Sequence, residues 1–321
     1  MEPILQLLAP GDYVSGERMS ETLGITRAAI WKRIKALQEA GWPIESGGKR
    51  GYRLGAHDRL EPETWQGSLA TRTVGRGEIV YEETLTSTNE IIKQRSMDGA
   101  AAGTVCLCER QTAGHGRLGR TWESAPGAGL WVSVLMRPSI PPSWAHLMTF
   151  CAALAVSDAV HDVCGFQPGI KWPNDLVFRG KKLCGILLEV ATDMDRIRSV
   201  TVGTGLNVWP GAVPESLRGQ AGCVADFGEV PNRRAILVRY LEAFERWTDA
   251  VEAEGPAAVI PEVTARCVTI GQQVSVIGAQ TMTGLAVGLD DSGVLLVRDT
   301  AGQTRMVLSG DVSVRGIMGY V

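Results

Sequence analysis

The run from Glu109 to Trp122 combines glycine and arginine in a pattern that an ordinary structural loop has no reason to carry. It contains Gly114, Gly116, Gly119, Arg110, Arg117 and Arg120. Glycine lets backbone N–H groups approach a ligand closely, and arginine offers fixed positive charge with planar, bidentate geometry. The run therefore predicts a loop that wraps an anion.

The three glycines of this run also satisfy the GxGxxG pattern of dinucleotide-binding folds, but the flanking sequence speaks against that interpretation. A dinucleotide turn opens a helix, and an acidic residue follows about twenty residues later. Here the chain continues into 121–129, which contains Pro126 and two further glycines, and then into an apolar segment, 130–136, that reads as a strand. We therefore predict an anion-binding loop that leads into a strand.

A second group of polar residues lies within 171–190. Two apolar segments flank a hairpin-like turn at Arg179-Gly180. The polar residues at the ends of these segments are Lys171, Asn174, Asp175, Lys181 and Lys182. Strand ends are where a sheet presents side chains to a ligand, so we expect these residues to join the glycine-arginine loop in one site.

These motifs occur together with Ser87-Thr88-Asn89 and a Gly203–Asn207 segment that we interpret as a turn. In this order they resemble the bifunctional biotin protein ligase and biotin-operon repressor family, and the resemblance runs over nearly the whole chain. It implies an enzyme that uses ATP and Mg²⁺ to join biotin to AMP and then transfers biotin to a lysine of a biotin carboxyl carrier protein. It also implies a homodimer, formed when the adenylate is bound, that binds operator DNA.

The resemblance also implies the binding residues. The biotin site comprises Ser87, Thr88, Asn89, Gln111, Gly114, His115, Gly116, Arg117, Lys182 and Gly185. The ATP site comprises Arg117, Arg120, Trp122, Asn174, Lys182, Asn207 and Arg315, with the two asparagines near adenine. Simpler alternatives stay open: Ser87 as a helix cap alone, Lys181 and Lys182 as turn lysines, and Trp122 as a packing residue.

Adenylation brings two anions, a carboxylate and an α-phosphate, within about 3 Å of each other. Their repulsion must be offset by positive charge, which also stabilises the pentavalent phosphoryl group as it develops. We expect Arg117 and Lys182 to supply this charge, with Lys171 and Arg120 in support. Asp175 either holds Mg²⁺ or orients a lysine. The acceptor lysine attacks the mixed anhydride itself, so the enzyme needs no nucleophile of its own.

The loop departs from the family pattern at His115 and Leu118, where related ligases carry a longer arginine run. Two fewer cations predict a weaker hold on the phosphate of the adenylate, and a protonated His115 restores charge below about pH 6.5. Two alternative functions fit the sequence less well. A lipoate-type ligase generally lacks the N-terminal domain and the Lys171–Asp175 motif, and a small-molecule-sensing regulator without catalysis has no need of Arg117, Lys171 and Lys182.

The first sixty residues predict a winged helix-turn-helix. Ser15–Leu23 reads as a helix, Gly24-Ile25 as a turn, and Thr26 as the cap of a second helix that buries Ile30, Ile34 and Leu37. The segment 26–53 contains seven basic residues and two acidic ones, although the whole chain has a net charge of −3. The predicted DNA-binding residues are Arg27, Trp31, Lys32, Lys35, Lys49 and Arg50. The alternative is a solvated basic helix or a module for protein contacts.

Composition predicts a cytoplasmic protein with reduced thiols and no membrane segment. The seven cysteines are an odd number, and the N-terminus has no secretory pattern. No uninterrupted run of eighteen apolar residues occurs. We expect Cys106 and Cys108 to be core thiols on a strand rather than metal ligands.

The predicted fold class is a multidomain α+β protein. The predicted domains are a winged helix-turn-helix over 1–60, a mixed α/β ligase domain over 61–267 and an SH3-like β-barrel over 268–321. The polar segment 57–63 reads as the linker, followed by a helix from Glu63 to Leu69, and 148–163 reads as an apolar core helix. Segment 209–217 is expected to fold over adenine, although it carries no aromatic residue at its centre.

Overall fold

The computed structural model describes residues 3–8, 13–39, 44–54, 60–193, 195–229, 231–277, 281–308 and 313–316. The side chains of residues 5, 6, 54 and 313–316 lie outside this description. Residues 57–59, the first three of the predicted linker 57–63, also lie outside it.

The N-terminal module is the predicted helix-turn-helix with a two-stranded wing. Its elements are α1 (Pro3–Leu8), α2 (Gly16–Leu23), α3 (Arg27–Glu39), β1 (Ile44–Ser46) and β2 (Tyr52–Leu54). Ser15 caps α2, and the Thr26 hydroxyl accepts the N–H of Ala29 in the first turn of α3. Ile30, Ile34 and Leu37 are buried, as the spacing predicts, and α1 was not anticipated.

A seven-stranded mixed sheet forms the centre of the molecule. Its elements are β3 (Ile79–Leu85), α4 (Thr88–Met97), β4 (Val105–Gln111), β5 (Gly129–Met136), α5 (Leu147–Cys164), β6 (Gly169–Lys171), β7 (Asp175–Phe178), β8 (Lys181–Asp193), β9 (Arg196–Asn207), α6 (Arg233–Glu254) and α7 (Ile260–Arg266). The strand order is β3-β4-β5-β9-β8-β7-β6, with β3 and β4 parallel and the other pairs antiparallel.

The helices cover the two faces of this sheet. On one face Ile92 of α4 packs with Cys106 and Leu135, whereas α5 and α6 pack together within the main core. Residues Pro142–Cys164, which include α5, have the length and mean hydropathy of a membrane span, but 72% of that window is buried inside the protein. This segment is therefore placed as a core helix. All seven cysteines are buried thiols, and burial raises the pKa of Cys108 to about 12.

Two predicted elements are wrong. Residues Gly203–Asn207 are the end of strand β9, paired to β5 and β8, and not a turn, because the glycines make room for side chains that lie on the sheet. The helix predicted from Glu63 to Leu69 is two separate 3-10 turns, Pro62–Thr64 and Gln66–Ser68. The predicted turn at Arg179-Gly180 is confirmed: both residues have positive φ, the conformation that joins tightly paired strands.

The C-terminal residues form a five-stranded antiparallel sheet in the order β13-β12-β11-β10-β14. Its strands are β10 (Gln273–Ile277), β11 (Met282–Leu289), β12 (Leu295–Asp299), β13 (Thr304–Val307) and β14 (Ser313–Gly316). Its buried residues belong to the same apolar cluster as the central domain. Trp172 links the two sheets, because its backbone N–H donates to the Thr269 hydroxyl (3.0 Å) and its indole N–H to the Gly293 carbonyl (3.1 Å).

Candidate functional site

A cleft of about 850 Å³ opens on the α4 side of the central sheet. Its lining includes Ser87, Thr88, Asn89, Gln111, His115, Gly116, Arg117, Arg120, Trp122, Lys171, Asn174, Asp175, Lys182, Gly185 and Asn207. These are all but two of the residues predicted to bind biotin or ATP or to act in catalysis. Gly114 packs against Trp122 and Gln111, which line the cleft, and the side chain of Arg315 is outside the described residues.

The glycine-arginine loop folds back on itself at the mouth of the cleft. The Gly116 N–H donates to the Arg120 carbonyl (2.7 Å), and the Trp122 N–H donates to the Gly114 carbonyl (2.9 Å). At the tip Leu118 has a positive φ of 57° and is 56% exposed. Leucine rarely adopts this backbone conformation, so the tip is held by the hydrogen bonds below it. The loop does not lead into an α-helix, which agrees with the prediction that it is not a dinucleotide-binding turn.

The indole of Trp122 lies across two glycines of the sheet. A Cβ added to Gly205 would stand 2.7 Å from the indole, and one added to Gly185 would stand 2.8 Å from it. The Lys182 ammonium lies 5.2 Å from the ring centroid, within cation–π range. The Trp122 indole nitrogen is buried and has no hydrogen-bond partner in the described part of the chain. The ring therefore lies on the sheet at the floor of the cleft.

Lys181 and Lys182 are adjacent in sequence but point to different places. The Lys182 ammonium donates to Oδ1 of Asp175 (2.6 Å) inside the cleft. The Lys181 ammonium instead donates to the carbonyls of Arg218 (2.8 Å) and Gly219 (2.7 Å). Successive side chains of a strand face opposite sides, so Lys182 is a cleft residue and Lys181 holds the segment after β9.

The Lys171–Asp175 motif forms the wall beside the loop. Lys171 is only 5% exposed, and the bond between Trp172 and Pro173 is cis. Asn174 donates through its side chain to the Ile186 carbonyl (2.9 Å) and accepts from Arg117 Nη1 (3.1 Å). Asn174 therefore connects the arginine of the loop to strand β8.

At the other end of the cleft, polar groups gather at the start of α4. Ser87 is the N-cap residue, but its hydroxyl makes no capping hydrogen bond, so capping is not its role here. The Thr88 N–H donates to Oε1 of Gln111 (2.9 Å), and Nε2 of Gln111 donates to the Ser124 hydroxyl (2.9 Å). The amide of Gln111 is thereby held in a single orientation.

Several residues at this end of the cleft carry no signal in the sequence. The Ser133 hydroxyl is fully buried and lies 2.7 Å from the Thr88 hydroxyl and 2.6 Å from Oδ1 of Asn89. Glu189 accepts from Nδ2 of Asn89 (2.8 Å) and from Lys93 (3.0 Å). A serine and a glutamate in different strands carry no local sequence signal that would connect them to this helix.

His115 lies beside the same network. Its Nε2 is 3.8 Å from Oε1 of Glu90, and Glu90, His115 and Glu189 could together offer ligand atoms to a metal ion. The Lys93 ammonium donates to both carboxylates, at 2.7 and 3.0 Å. The charge of the two carboxylates is thus already partly offset by a protein cation, and we interpret the group as an ion-pair cluster.

The segment after β9 forms the far wall of the cleft. It contains the 3-10 turns Pro210–Ala212 and Glu215–Leu217. Asn207 donates through Nδ2 to the Gly222 carbonyl (3.1 Å), while the ring of Trp209 is buried in the core. Ala212, Pro214 and Leu217 line the cleft, and they form an apolar surface without an aromatic ring.

The six predicted DNA-binding residues are all exposed on the N-terminal module. On α3 the side chain of Trp31 is 56% exposed, beside the basic residues of the same helix. On the wing the Arg50 guanidinium lies 4.2 Å from the centre of the Tyr13 ring. The basic residues of helix and wing are thus available to a ligand.

Comparison with known proteins agrees with this architecture. Family models match residues 1–53 (HTH domain), 81–207 (biotin/lipoate A/B protein ligase family) and 269–315 (biotin protein ligase C-terminal domain). The bifunctional ligase/repressor BirA of Bacillus subtilis is 33% identical over 310 residues, which cover 95% of this chain and 94% of that protein. The biotin–acetyl-CoA-carboxylase ligase of Mycobacterium tuberculosis is 36% identical over 272 residues, 79% of this chain and 97% of that protein.

Among solved structures, a biotin protein ligase from Aquifex aeolicus in complex with biotin and ATP superimposes with a TM-score of 0.66. The two sequences are 27% identical, and the match covers 74% of this chain and 99% of that one. A DNA-binding module joined to a ligase-type domain and a C-terminal antiparallel sheet defines the class. The chain belongs to the family of bifunctional biotin protein ligases and repressors.

Proposed function

We propose that this protein joins biotin to ATP to give biotinyl-5′-AMP and pyrophosphate, and then transfers biotin to a specific lysine of a biotin carboxyl carrier domain. One observation carries this proposal: a single cleft holds a neutral hydrogen-bonding end at Thr88 and Gln111 and a cationic end at Arg117 and Lys182. A neutral cyclic urea and a carboxylate are the two ends of biotin. The lysine of the carrier domain then attacks the mixed anhydride, so the enzyme forms no covalent intermediate.

In this proposal the cations act on the reacting anions. Lys182 and Arg117 neutralise the carboxylate and the α-phosphate, and Lys171 and Arg120 support them. The ring of Trp122 separates the biotin half from the nucleotide half. Asn207 and segment 210–217 receive the adenine, with apolar contacts in place of aromatic stacking, and Arg315 lies on the C-terminal sheet as a candidate nucleotide contact.

Mg²⁺ fits this site as an ion held mainly by the substrate. In the described part of the chain the carboxylates of the cleft wall are Asp175 and Glu123, and Asp175 already accepts a hydrogen bond from Lys182. This contact favours a lysine-orienting role for Asp175. When bound, Mg²⁺ would neutralise the departing pyrophosphate, with phosphate oxygens and water as most of its ligands.

The N-terminal module adds a second function, adenylate-dependent repression of biotin genes. The exposed residues Arg27, Trp31, Lys32 and Lys35 on α3 and Lys49 and Arg50 on the wing would contact operator DNA. We further propose that the protein dimerises when the adenylate is bound, that it works in the cytoplasm, and that the C-terminal sheet closes into an SH3-like barrel.

The test is incorporation of radiolabelled biotin into a carrier domain with ATP and Mg²⁺, using the wild-type protein, Arg117→Ala and Lys182→Ala. We expect transfer by the wild type and losses of about 10²-fold or more in both variants. Absence of transfer, with tight biotin binding by the folded protein, would leave a small-molecule-sensing regulator. Transfer of lipoate in place of biotin would indicate a lipoate-type ligase.

A further inference from the structure

The aromatic ring of Tyr13 lies against the wing of the N-terminal module. Two backbone hydrogen bonds hold the segment before α2 beside strand β2: the Val14 N–H donates to the Tyr52 carbonyl (2.8 Å), and the Tyr52 N–H donates to the Val14 carbonyl (2.9 Å). Two arginines of the wing reach the Tyr13 ring. The guanidinium carbon of Arg50 lies 4.2 Å from the ring centre and that of Arg53 lies 4.8 Å from it, both within cation–π range.

The wing leaves room for this ring at Gly47. A Cβ added to Gly47 would stand 2.3 Å from Cε1 of Tyr13, a distance that no real contact allows. Gly47 has a φ of −96°, a value that residues with side chains also adopt. Space for the ring, and not backbone freedom, therefore requires glycine at this position. The sequence of the wing is fitted to the presence of Tyr13.

The backbone that carries Arg50 is a closed turn. The Arg50 N–H donates to the Gly47 carbonyl (3.2 Å), and the Gly47 N–H donates to the Gly51 carbonyl (2.8 Å). A third hydrogen bond joins the Gly51 N–H to the Gly48 carbonyl (3.1 Å). The turn thus fixes the start of the Arg50 side chain, and the ring of Tyr13 contacts its far end.

The two arginines on the ring differ in their charge balance. Arg53 lies opposite Glu45 in the pairing of β1 and β2, and its Nε and Nη2 are 2.7 and 2.6 Å from Oε2 of that carboxylate. Arg50 is exposed and makes no ion pair with any residue that the structure describes. The charge of Arg53 is therefore neutralised within the wing, whereas the charge of Arg50 is available to an anion.

We propose that Tyr13 is a positioning residue that holds the guanidinium of Arg50 in place to bind a phosphate group of the DNA backbone. The inference rests on the proposed DNA-binding function and adds a residue outside the predicted basic surface. Guanidinium groups bind phosphate with two parallel N–H groups, and a ring that restrains the side chain beforehand reduces the entropy lost on binding. Because a phosphate carries no sequence information, this contact should strengthen binding to every duplex equally.

The experiment measures DNA affinity by fluorescence anisotropy with the full-length protein, biotin, ATP and Mg²⁺. The probes are two duplexes of equal length, one with the promoter of the biotin genes and one with an unrelated sequence. Arg50→Ala should weaken binding to both about tenfold and reduce the slope of log affinity against log salt by about 0.9, the value for one phosphate contact. Arg53→Ala is the matched control on the same ring, and it should keep the wild-type slope because Arg53 is paired with Glu45.

A double-mutant cycle with Arg50 tests the role of Tyr13. Tyr13→Leu should weaken binding to both duplexes about three- to fivefold, whereas Tyr13→Phe, which keeps the ring, should retain the wild-type affinity. In the Arg50→Ala background Tyr13→Leu should cost nothing more, since it acts only through Arg50. Gly47→Ala, whose Cβ displaces the ring, should give the same loss with the same dependence on Arg50.

The cycle separates the outcomes. An equal cost of Tyr13→Leu with and without Arg50 would show a merely structural role and overturn the inference, as would an unchanged affinity in Tyr13→Leu. A loss confined to the promoter duplex would mean that Arg50 reads bases and would contradict the phosphate contact. A wild-type protein that binds neither duplex at low salt would remove the proposed DNA binding and the inference with it. If Tyr13→Leu does not fold, the cycle of Gly47→Ala with Arg50→Ala carries the test.

Discussion

The Lys182 ammonium lies 2.6 Å from Oδ1 of Asp175, and the two residues reach each other from neighbouring strands. Their backbones are not opposite each other, because Asp175 pairs with Gly185 and an irregularity between Leu176 and Val177 shifts the register. The ammonium therefore extends along the sheet over Gly185, where a Cβ would stand 3.2 Å from it. Asp175 and Gly185 together fix the position of the cation that the proposed reaction needs.

Lys182→Ala and Lys181→Ala form a matched pair of adjacent substitutions. We expect Lys182→Ala to lower the rate of biotinyl-adenylate formation by about 10²–10³-fold, because a charge aimed at the transition state is lost. Lys181→Ala should change that rate far less, since its ammonium binds the carbonyls of Arg218 and Gly219 and not Asp175. Pyrophosphate release measures both. Equal losses would show that the two lysines are not functionally distinct.

Gly205→Ala should disturb the ligand site without touching a catalytic charge. The new Cβ would meet the Trp122 indole at 2.7 Å and push the ring into the cleft. We expect weaker biotin and nucleotide binding, by about tenfold or more, with a fold that stays intact by circular dichroism. Gly219→Ala is the control, because nothing lies within 4 Å of its Cβ position. Unchanged affinity in Gly205→Ala would contradict the position of Trp122.

Arg233→Met should destabilise the protein strongly. Arg233 is fully buried, and it donates to Oε2 of Glu109 (2.8 Å) and to the Gly129 carbonyl (3.0 Å). Its loss leaves the buried Glu109 carboxylate without its cationic partner, at a cost of about 3–5 kcal/mol in the free energy of unfolding. Urea denaturation would measure this. Arg239→Met, which breaks the exposed pair with Glu242, should cost less than about 1 kcal/mol.

Glu245 should make the free energy of unfolding depend on pH in the acidic range. Burial raises the pKa of this carboxyl, but the backbone N–H groups of Arg72, Val74 and Thr73 outweigh it and hold the pKa below its ordinary value of 4.5. A lowered pKa stabilises the fold above that value, and the contribution is lost as the pH falls through the folded-state pKa. The free energy of unfolding should therefore fall more steeply below pH 4.5 in the wild type than in Glu245→Gln. Parallel curves would refute this.

The double variant Arg27→Ala/Lys32→Ala tests the DNA-binding surface. Both side chains are exposed on α3, so their loss removes two phosphate or base contacts without affecting the core. We expect the gel shift on the protein's own operator to disappear, while biotin transfer remains at the wild-type level. A retained shift would mean that α3 does not enter the DNA groove.

Local patterns were enough to predict the elements that depend on local rules. The cap at Thr26, the apolar spacing of α3 and the Arg179-Gly180 turn follow from the chemistry of a few neighbouring residues. The resemblance to a family then predicted that residues from distant parts of the chain share one site, and in the structure these residues line one cleft.

The sequence could not predict which side chains of different helices and strands contact each other. Gly203 and Gly205 were predicted to form a turn because glycine is common in turns. In the structure glycine is required at these strand positions because the side chains of Asn89 and Trp122 lie directly above them. The partners of Asn89, Ser133 and Glu189, come from strands 44 and 100 residues away. Only the folded sheet shows that they meet.

The two hydrogen bonds of Trp172 to the C-terminal sheet bear on how the chain can be divided. Separation after the central domain would leave a backbone N–H and an indole N–H beside Lys171 without acceptors, and would uncover the core that both sheets share. The ligase half is thus not a transferable module that ends where its last helix ends. A minimal biotinylating tool built from this protein has to retain the C-terminal strands in the same chain.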